Sequence, residues 1–130
     1  EYGAYTALVS GGFRYFTKHV RDTLGFSCEY GNELEIIDKK ITGKLIGKLI
    51  TPSKKRQIFF QLLFKHKLNE QQAIAVGDGA NDLPMLRAAG LGVAYHAKPN
   101  VTEATRYRID HAGLHALLFL QGVKKKDFVY

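Results

Sequence analysis

The sequence predicts an α/β fold, a parallel sheet with helices on both faces plus a small β-hairpin. Three observations predict it. Two short apolar runs, 5–9 and 73–76, each end in a glycine-rich turn, Ser10-Gly11-Gly12 and Gly77-Asp78-Gly79. Each turn leads into a stretch with helical spacing. From 73 to 110 the chain alternates strand, helix, strand, helix, strand, a pattern that lays helices on the faces of parallel strands.

The run 5–9 mixes small, aromatic and branched residues, as a short buried strand does. Over 13–24, Phe13, Phe16, Val20 and Leu24 recur on one helical face, and Gly25 is placed to cap the C-terminus. The stretch 27–50 differs in texture. Leu34, Ile36, Ile41, Leu45 and Leu49 are interspersed with polar residues, and Asp38-Lys39-Lys40 suits a turn between two antiparallel arms. Ser53 is the expected N-cap of a helix over 54–67. Strands follow at 73–76, 92–94 and 107–110, with short helices at 82–89, 99–105 and 114–120, and a basic tail at 123–130. No internal repeat or low-complexity stretch is expected.

A length of 130 residues suits one domain. The composition, 45% hydrophobic and 24% charged, is that of a soluble globular chain and excludes disorder or a disulfide scaffold. Cys28 is the single cysteine, so no intrachain disulfide forms. No apolar run approaches the roughly 20 residues of a membrane helix, so no membrane partner is expected. The net charge of +7 is spread over 39–48, 54–56 and 124–126 rather than gathered into one footprint, which disfavours nucleic acid. The chain begins at Glu1 and its only methionine is Met85, so a preceding segment is expected.

The densest chemical signal is Gly77-Asp78-Gly79-Ala80-Asn81-Asp82. It follows an apolar strand, where open α/β sheets bind ligands. Two carboxylates four residues apart with an intervening Asn make a hard-oxygen site suited to Mg²⁺. The plain alternative is a turn, since Gly and Asp are turn residues, but a turn accounts for only one or two of the six. Ser10-Gly11-Gly12, a hydroxyl and backbone amides ahead of a helix, fits an anion site, although Ser at that place is commonly only a cap. Lys55, near a helix start, is a compact charge able to hold a phosphoryl group. Taken alone it is an ordinary surface lysine, with Lys54 and Arg56 beside it.

The order of these three signals resembles motifs II, III and IV of the haloacid-dehalogenase superfamily. Within it, ALVSGGF at 7–13, NELEI at 32–36, AVGDGANDLPML at 75–86, AAGLGVAYHAKP at 88–99 and IDHAGLHALLFLQG at 109–122 are similar to strings of bacterial phosphoserine phosphatases. The resemblance covers nearly the whole chain and implies a Rossmannoid sheet truncated at its N-terminal side. On that basis residues 1–130 are the C-terminal portion of such a hydrolase domain, with 27–50 inserted as a flap. The resemblance implies a cytoplasmic, Mg²⁺-dependent phosphoric monoester hydrolase that cleaves O-phosphoserine through an aspartyl-phosphate in serine synthesis. It implies that Ser10 and Gly11 hold phosphoryl oxygens and that Lys55 neutralises the phosphate and steadies the nucleophile. Asp78 would ligate Mg²⁺, Asn81 would contact substrate or phosphate, and Asp82 would support the metal's water shell and Lys55. Lys54 stays an alternative for the lysine.

Three features depart from the pattern. The family's Asp-x-Asp-x-Thr is absent: of Asp22, Asp38, Asp78, Asp82, Asp110 and Asp127, no two stand two apart. The isolated chain is therefore expected to be inactive. The helical cap is absent too, so a complete relative is expected to carry about 80 or more further residues before Glu1. Thr51 stands where relatives carry an acidic residue. Without the central strand that bears the first motif, the strands ending at Ser10 and Asp78 would have open edges. A complementing N-terminal segment, self-association, or direct pairing of those strands is expected.

His111 and His115 are spaced as a pair on one helix face, yet no histidine spacing here reads as a metal site. Phe59, Phe60 and Phe64 read as helix packing. The competing functional readings are a non-catalytic remnant binding phosphate or metal, another phosphatase of the superfamily, and a basic nucleic-acid-binding module.

Overall fold

Strand β1, Ala7–Phe13, runs into helix α1, Arg14–Leu24, with Phe13 as its N-cap. These and the elements below come from a computed structural model that describes residues 3–129. Glu1, Tyr2 and Tyr130, the last of which ends the expected basic tail, lie outside the described residues. The chain divides into two units, one up to Lys55 and one from Arg56 onward.

In the first unit, α1 ends as expected. Gly25 takes the left-handed conformation (φ 73°), and its N–H and that of Phe26 both donate to the Arg21 carbonyl, at 2.8 and 3.0 Å. The chain returns as β2, Cys28–Ile37, and pairs parallel to β1 through Ala7–Cys28, Leu8–Glu29 and Val9–Tyr30. Its far half pairs antiparallel with β3, Lys40–Ile46. The hairpin expected over 27–50 is thus continuous with the sheet at its base. The turn is Asp38-Lys39, both at positive φ (51° and 63°), between the paired Ile37 and Lys40. That two-residue geometry matches the twist of the flanking strands, and it places Lys40 in the strand rather than in the turn.

Two sequence expectations need correction here. Gly-Lys-Leu-Ile occurs twice in tandem, at 43–46 and 47–50, so a short internal repeat does exist. Both of its glycines take positive φ (84° and 75°): Gly43 lies at the irregularity of the β2–β3 ladder, and Gly47 directly follows the end of β3. On α1, Phe16 and Leu24 of the expected buried face are 63% and 68% exposed, while the buried residue of the helix is Thr17. Thr17 is buried there because it hydrogen-bonds Glu29 of β2.

Helix α2, Pro52–His66, starts two residues before the expected point. Thr51 caps it, not Ser53: Thr51 Oγ1 accepts the Lys54 N–H at 3.1 Å, and its carbonyl accepts that of Lys55 at 2.9 Å. Pro52 is then the first helical residue, where its missing N–H costs nothing.

The second unit is a parallel sheet in the order β4, β5, β6: Ile74–Gly77, Leu91–Tyr95 and Tyr107–Ile109. Helix α3, Leu83–Ala88, and helix α4, Pro99–Glu103, are the crossovers. Phe59 and Leu63 of α2 pack with Ala75, Met85, Leu86, Ala94 and Val101 into one cluster. Val93 and Ala94 of β5 are fully buried, as a strand covered on both faces requires, and so is Val101 of α4. Phe60 packs at the edge of that cluster, but Phe64 is 88% exposed, so the expectation of helix packing fails for it. Helix α5, Ala116–Leu120, begins after His115. His111 therefore lies before the helix, and the two histidines do not share a helix face.

β1 and β4 are each the edge strand of a three-stranded sheet. Among the described residues no helix is long and apolar enough to cross a membrane.

Candidate active site

Ser10, Gly11 and Gly12 lie at the end of β1, where the ladder to β2 is irregular: Val9 pairs with Tyr30, but the next pair is Phe13–Asn32. Between these pairs three residues of β1, 10–12, stand against Gly31 alone on β2, so this segment bulges out of the ladder. Ser10 Oγ accepts the Gly12 N–H at 2.9 Å. Helix α1 starts only at Arg14, so Ser10 is not its cap; it closes a turn within the bulge.

The bulge rests on a polar layer. Glu29, with a side chain 1% exposed, accepts from Thr17 Oγ1 at 2.6 Å and from Arg14 Nε and Nη2 at 3.2 and 3.0 Å. Arg14 also reaches Glu33 at 3.4 Å. Burial pushes the Glu29 carboxyl up, but the Thr17 hydroxyl and the Arg14 guanidinium outweigh it and hold the group below the usual glutamate range. The bond to Glu29 in turn raises the Arg14 guanidinium. Gly31 lies tight against this layer: a β-carbon there would meet Thr17 Oγ1 at 2.8 Å and the Gly12 carbonyl at 3.1 Å.

Lys55 lies one turn into α2 and is 5% exposed, whereas Lys54 is half-buried. Lysine is seldom buried without a partner, so Lys55 is not an ordinary surface lysine.

In the second unit the Gly77–Asp82 loop leaves the carboxyl end of β4. Asp82, 6% exposed, turns its carboxylate back under the loop, where Oδ2 accepts the N–H groups of Asp78 and Gly79 at 3.2 and 3.3 Å. The Asp82 N–H donates to the Gly79 carbonyl at 3.0 Å. Asp78 and Asn81 stand exposed on the outer side. The two aspartates therefore differ: Asp82 organises the backbone, and Asp78 presents a carboxylate.

These elements bring Ser10, Gly11 and the start of the Lys55 helix into one unit, and Asp78, Asn81 and Asp82 into one loop of the other. Sequence reasoning missed Arg14, Thr17, Glu29 and Asn32. The first three become a cluster only when α1 packs on β2, and no local spacing signals that. Asn32 opens the NELEI string, but no role could be read for it.

A profile of the haloacid dehalogenase-like hydrolases matches residues 1–87, and the chain belongs to that family. It is 43% identical over 122 residues to a phosphoserine phosphatase of Polaromonas, covering 91% of this chain and 52% of that protein. To the phosphoserine phosphatase of Vibrio cholerae it is 41% identical over 113 residues, 87% of this chain and 34% of that one. The crystal structure of the probable phosphoserine phosphatase from Vibrio cholerae superposes with a TM-score of 0.88 at 38% identity, over 91% of this chain and 36% of that chain. A substrate-bound phosphoserine phosphatase complex superposes at 0.83 with 33% identity, over 94% of this chain and 57% of that one. The chain thus spans between a third and rather more than half of these relatives.

Proposed function

We propose that the chain carries the phosphate-binding and metal-binding part of a phosphoserine phosphatase, a Mg²⁺-dependent phosphoric monoester hydrolase acting on O-phosphoserine. The observation that carries this reading is the Gly77–Asp82 loop, where a buried carboxylate holds two backbone amides and a second one stands exposed at the end of a parallel strand. The name shared by the similar proteins supports the substrate.

Under this reading Ser10 donates its hydroxyl proton to a phosphoryl oxygen, and the Gly11 backbone lies against another. Lys55 supplies the positive charge that lets a phosphate dianion leave water, and its burial favours it over Lys54. Asn81 contacts the substrate. Asp82 acts by fixing the loop that aims Asp78, alongside its support of the metal's water shell.

The donors fit Mg²⁺ in the limited way that ion usually asks. Among the described residues no three His, Cys, Asp or Glu gather around one point. The exposed Asp78 carboxylate supplies one hard oxygen, and Mg²⁺ commonly takes one or two carboxylates with water and phosphate oxygens completing the shell. Bound there, the ion stabilises charge on the transferring group.

The attacking aspartate is not among these 130 residues, because no Asp-x-Asp occurs in them. The reading therefore needs a segment that brings it. The open edge of β1 and the exposed stripe of Phe16 and Leu24 on α1 support a docking place for that segment or for a second copy. A cytoplasmic location follows from serine synthesis. The absence of Asp-x-Asp also favours a second reading, a non-catalytic binder of phosphate.

Phosphate release from O-phosphoserine and from a panel of other phosphomonoesters, with Mg²⁺ and a segment carrying the family's Asp-x-Asp-x-Thr supplied, tests the proposal. Preference for O-phosphoserine is expected. Equal turnover across the panel would indicate another phosphatase of the family, and none at all would leave the non-catalytic binder.

A further inference from the structure

The Ser10-Gly11-Gly12 segment has left the β1–β2 ladder, so the sheet does not hold it in place. Something else must, because an anion site is useful only if its donors are preorganised. Asn32 is the side chain that reaches it. It is 7% exposed, on β2, and both ends of its amide are used: Nδ2 donates to the Gly11 carbonyl at 2.8 Å, and Oδ1 accepts the Ile50 N–H at 2.9 Å.

The two bonds have different consequences. The Gly11–Gly12 peptide is trans, so its carbonyl and its N–H point in opposite directions. Asn32 holds the carbonyl, and Ser10 Oγ holds the N–H at 2.9 Å. The plane is pinned at both ends. Ser10 Oγ spends a lone pair on that bond, which leaves its single O–H proton to be donated outward. The second bond fixes Ile50, the residue before Thr51, whose side chain and carbonyl take the Lys54 and Lys55 amides. One buried amide therefore ties the bulge that carries Ser10 to the helix start that carries Lys55.

We propose that Asn32 is a positioning residue that sets the Ser10–Gly11 phosphate site and the Lys55 helix start in mutual register. This rests on the reading of Ser10, Gly11 and Lys55 as phosphate-binding. Asparagine suits the task because it offers one donor and one acceptor on a short stem. Aspartate, of the same shape, keeps the acceptor for Ile50 but sets an oxygen against the Gly11 carbonyl.

The test is titration of the ¹⁵N-labelled chain with inorganic phosphate, followed by amide shifts, for the wild type and Asn32→Asp. In the wild type, phosphate is expected to move the Gly11 and Gly12 amides together with the Asn32 side-chain amide and the Ile50 amide. In Asn32→Asp the affinity is expected to fall at least tenfold while resonances from 56 onward stay in place. If phosphate shifts Gly11 and Gly12 but leaves the Asn32 side chain and Ile50 unmoved in the wild type, the proposal is overturned, and that arm needs no variant to fold. An Asn32→Asp affinity within twofold of wild type overturns it as well. If the wild type shows no phosphate response at Ser10–Gly12, the phosphate-binding reading itself fails, a different outcome from either of these.

Discussion

Asp82 packs directly against Gly77: a β-carbon built on Gly77 would meet Asp82 Oδ2 at 2.5 Å. The glycine is required by this approach, since the carboxylate must reach past residue 77 to accept the amides of Asp78 and Gly79. Gly77→Ala is expected to push the carboxylate off those amides and destabilise the chain by about 1–3 kcal/mol, the usual cost of overpacking. Urea unfolding would measure the loss. Amide exchange at Asp78 and Gly79 is expected to quicken by more than the global loss explains.

Glu29 gives a pH prediction. Its folded-state value lies below the usual glutamate range because the Thr17 and Arg14 bonds outweigh burial. A depressed carboxylate contributes stability that is present above its unfolded value and is lost as pH falls through the folded one. The unfolding midpoint is therefore expected to drop on the acid side of the glutamate range, and Glu29→Gln is expected to flatten that drop. At neutral pH, Glu29→Ala is expected to cost about 1–3 kcal/mol, less than the ~3–5 kcal/mol of a fully buried pair, because the Arg14 side chain is 36% exposed and stays solvated.

The start of α2 separates two hydroxyl residues. Thr51 Oγ1 caps the helix through the Lys54 N–H. Thr51→Ala is expected to cost about 1 kcal/mol, a typical N-cap loss, and Ser53→Ala only a few tenths. Thermal or chemical denaturation of the two variants compares them directly, and equal losses would return the cap to Ser53.

Much of the fold was legible because its signals are local. The Gly25 cap, the Asp38-Lys39 turn and the alternation from Ile74 to Ile109 are each written within a few residues. Features that depend on contact between distant segments were not legible. The Arg14–Thr17–Glu29 cluster forms only across α1 and β2, and the exposure of Phe16 and Leu24 cannot be told from a periodicity that matches a buried stripe. Thr51 and Ser53 are both cap residues by type, and only the position of Pro52 at the helix start decides between them. At the site, the Asp78–Asp82 string announced itself, but the division of labour within it did not. Asp82 faces inward across the space that Gly77 leaves, a contact between residues five apart that the order of the string does not announce.

Lys54 and Lys55 offer a clean contrast because they are adjacent and differ in burial. Lys55→Met is expected to weaken binding of inorganic phosphate at least tenfold, while Lys54→Met stays within twofold. Isothermal titration at two salt concentrations would read both. A reversed order would assign the role to Lys54.

On the proposed function, these residues bind and orient a phosphomonoester while the attacking aspartate comes from elsewhere. Phosphate release from O-phosphoserine with Mg²⁺ tests it most directly, measured on the 130-residue chain alone and again with an Asp-x-Asp-x-Thr segment supplied. No release alone and release on addition is the expected result. Release by the chain alone, abolished by Asp78→Asn, would contradict the account, because it would mean that a residue within these 130 supplies the nucleophile.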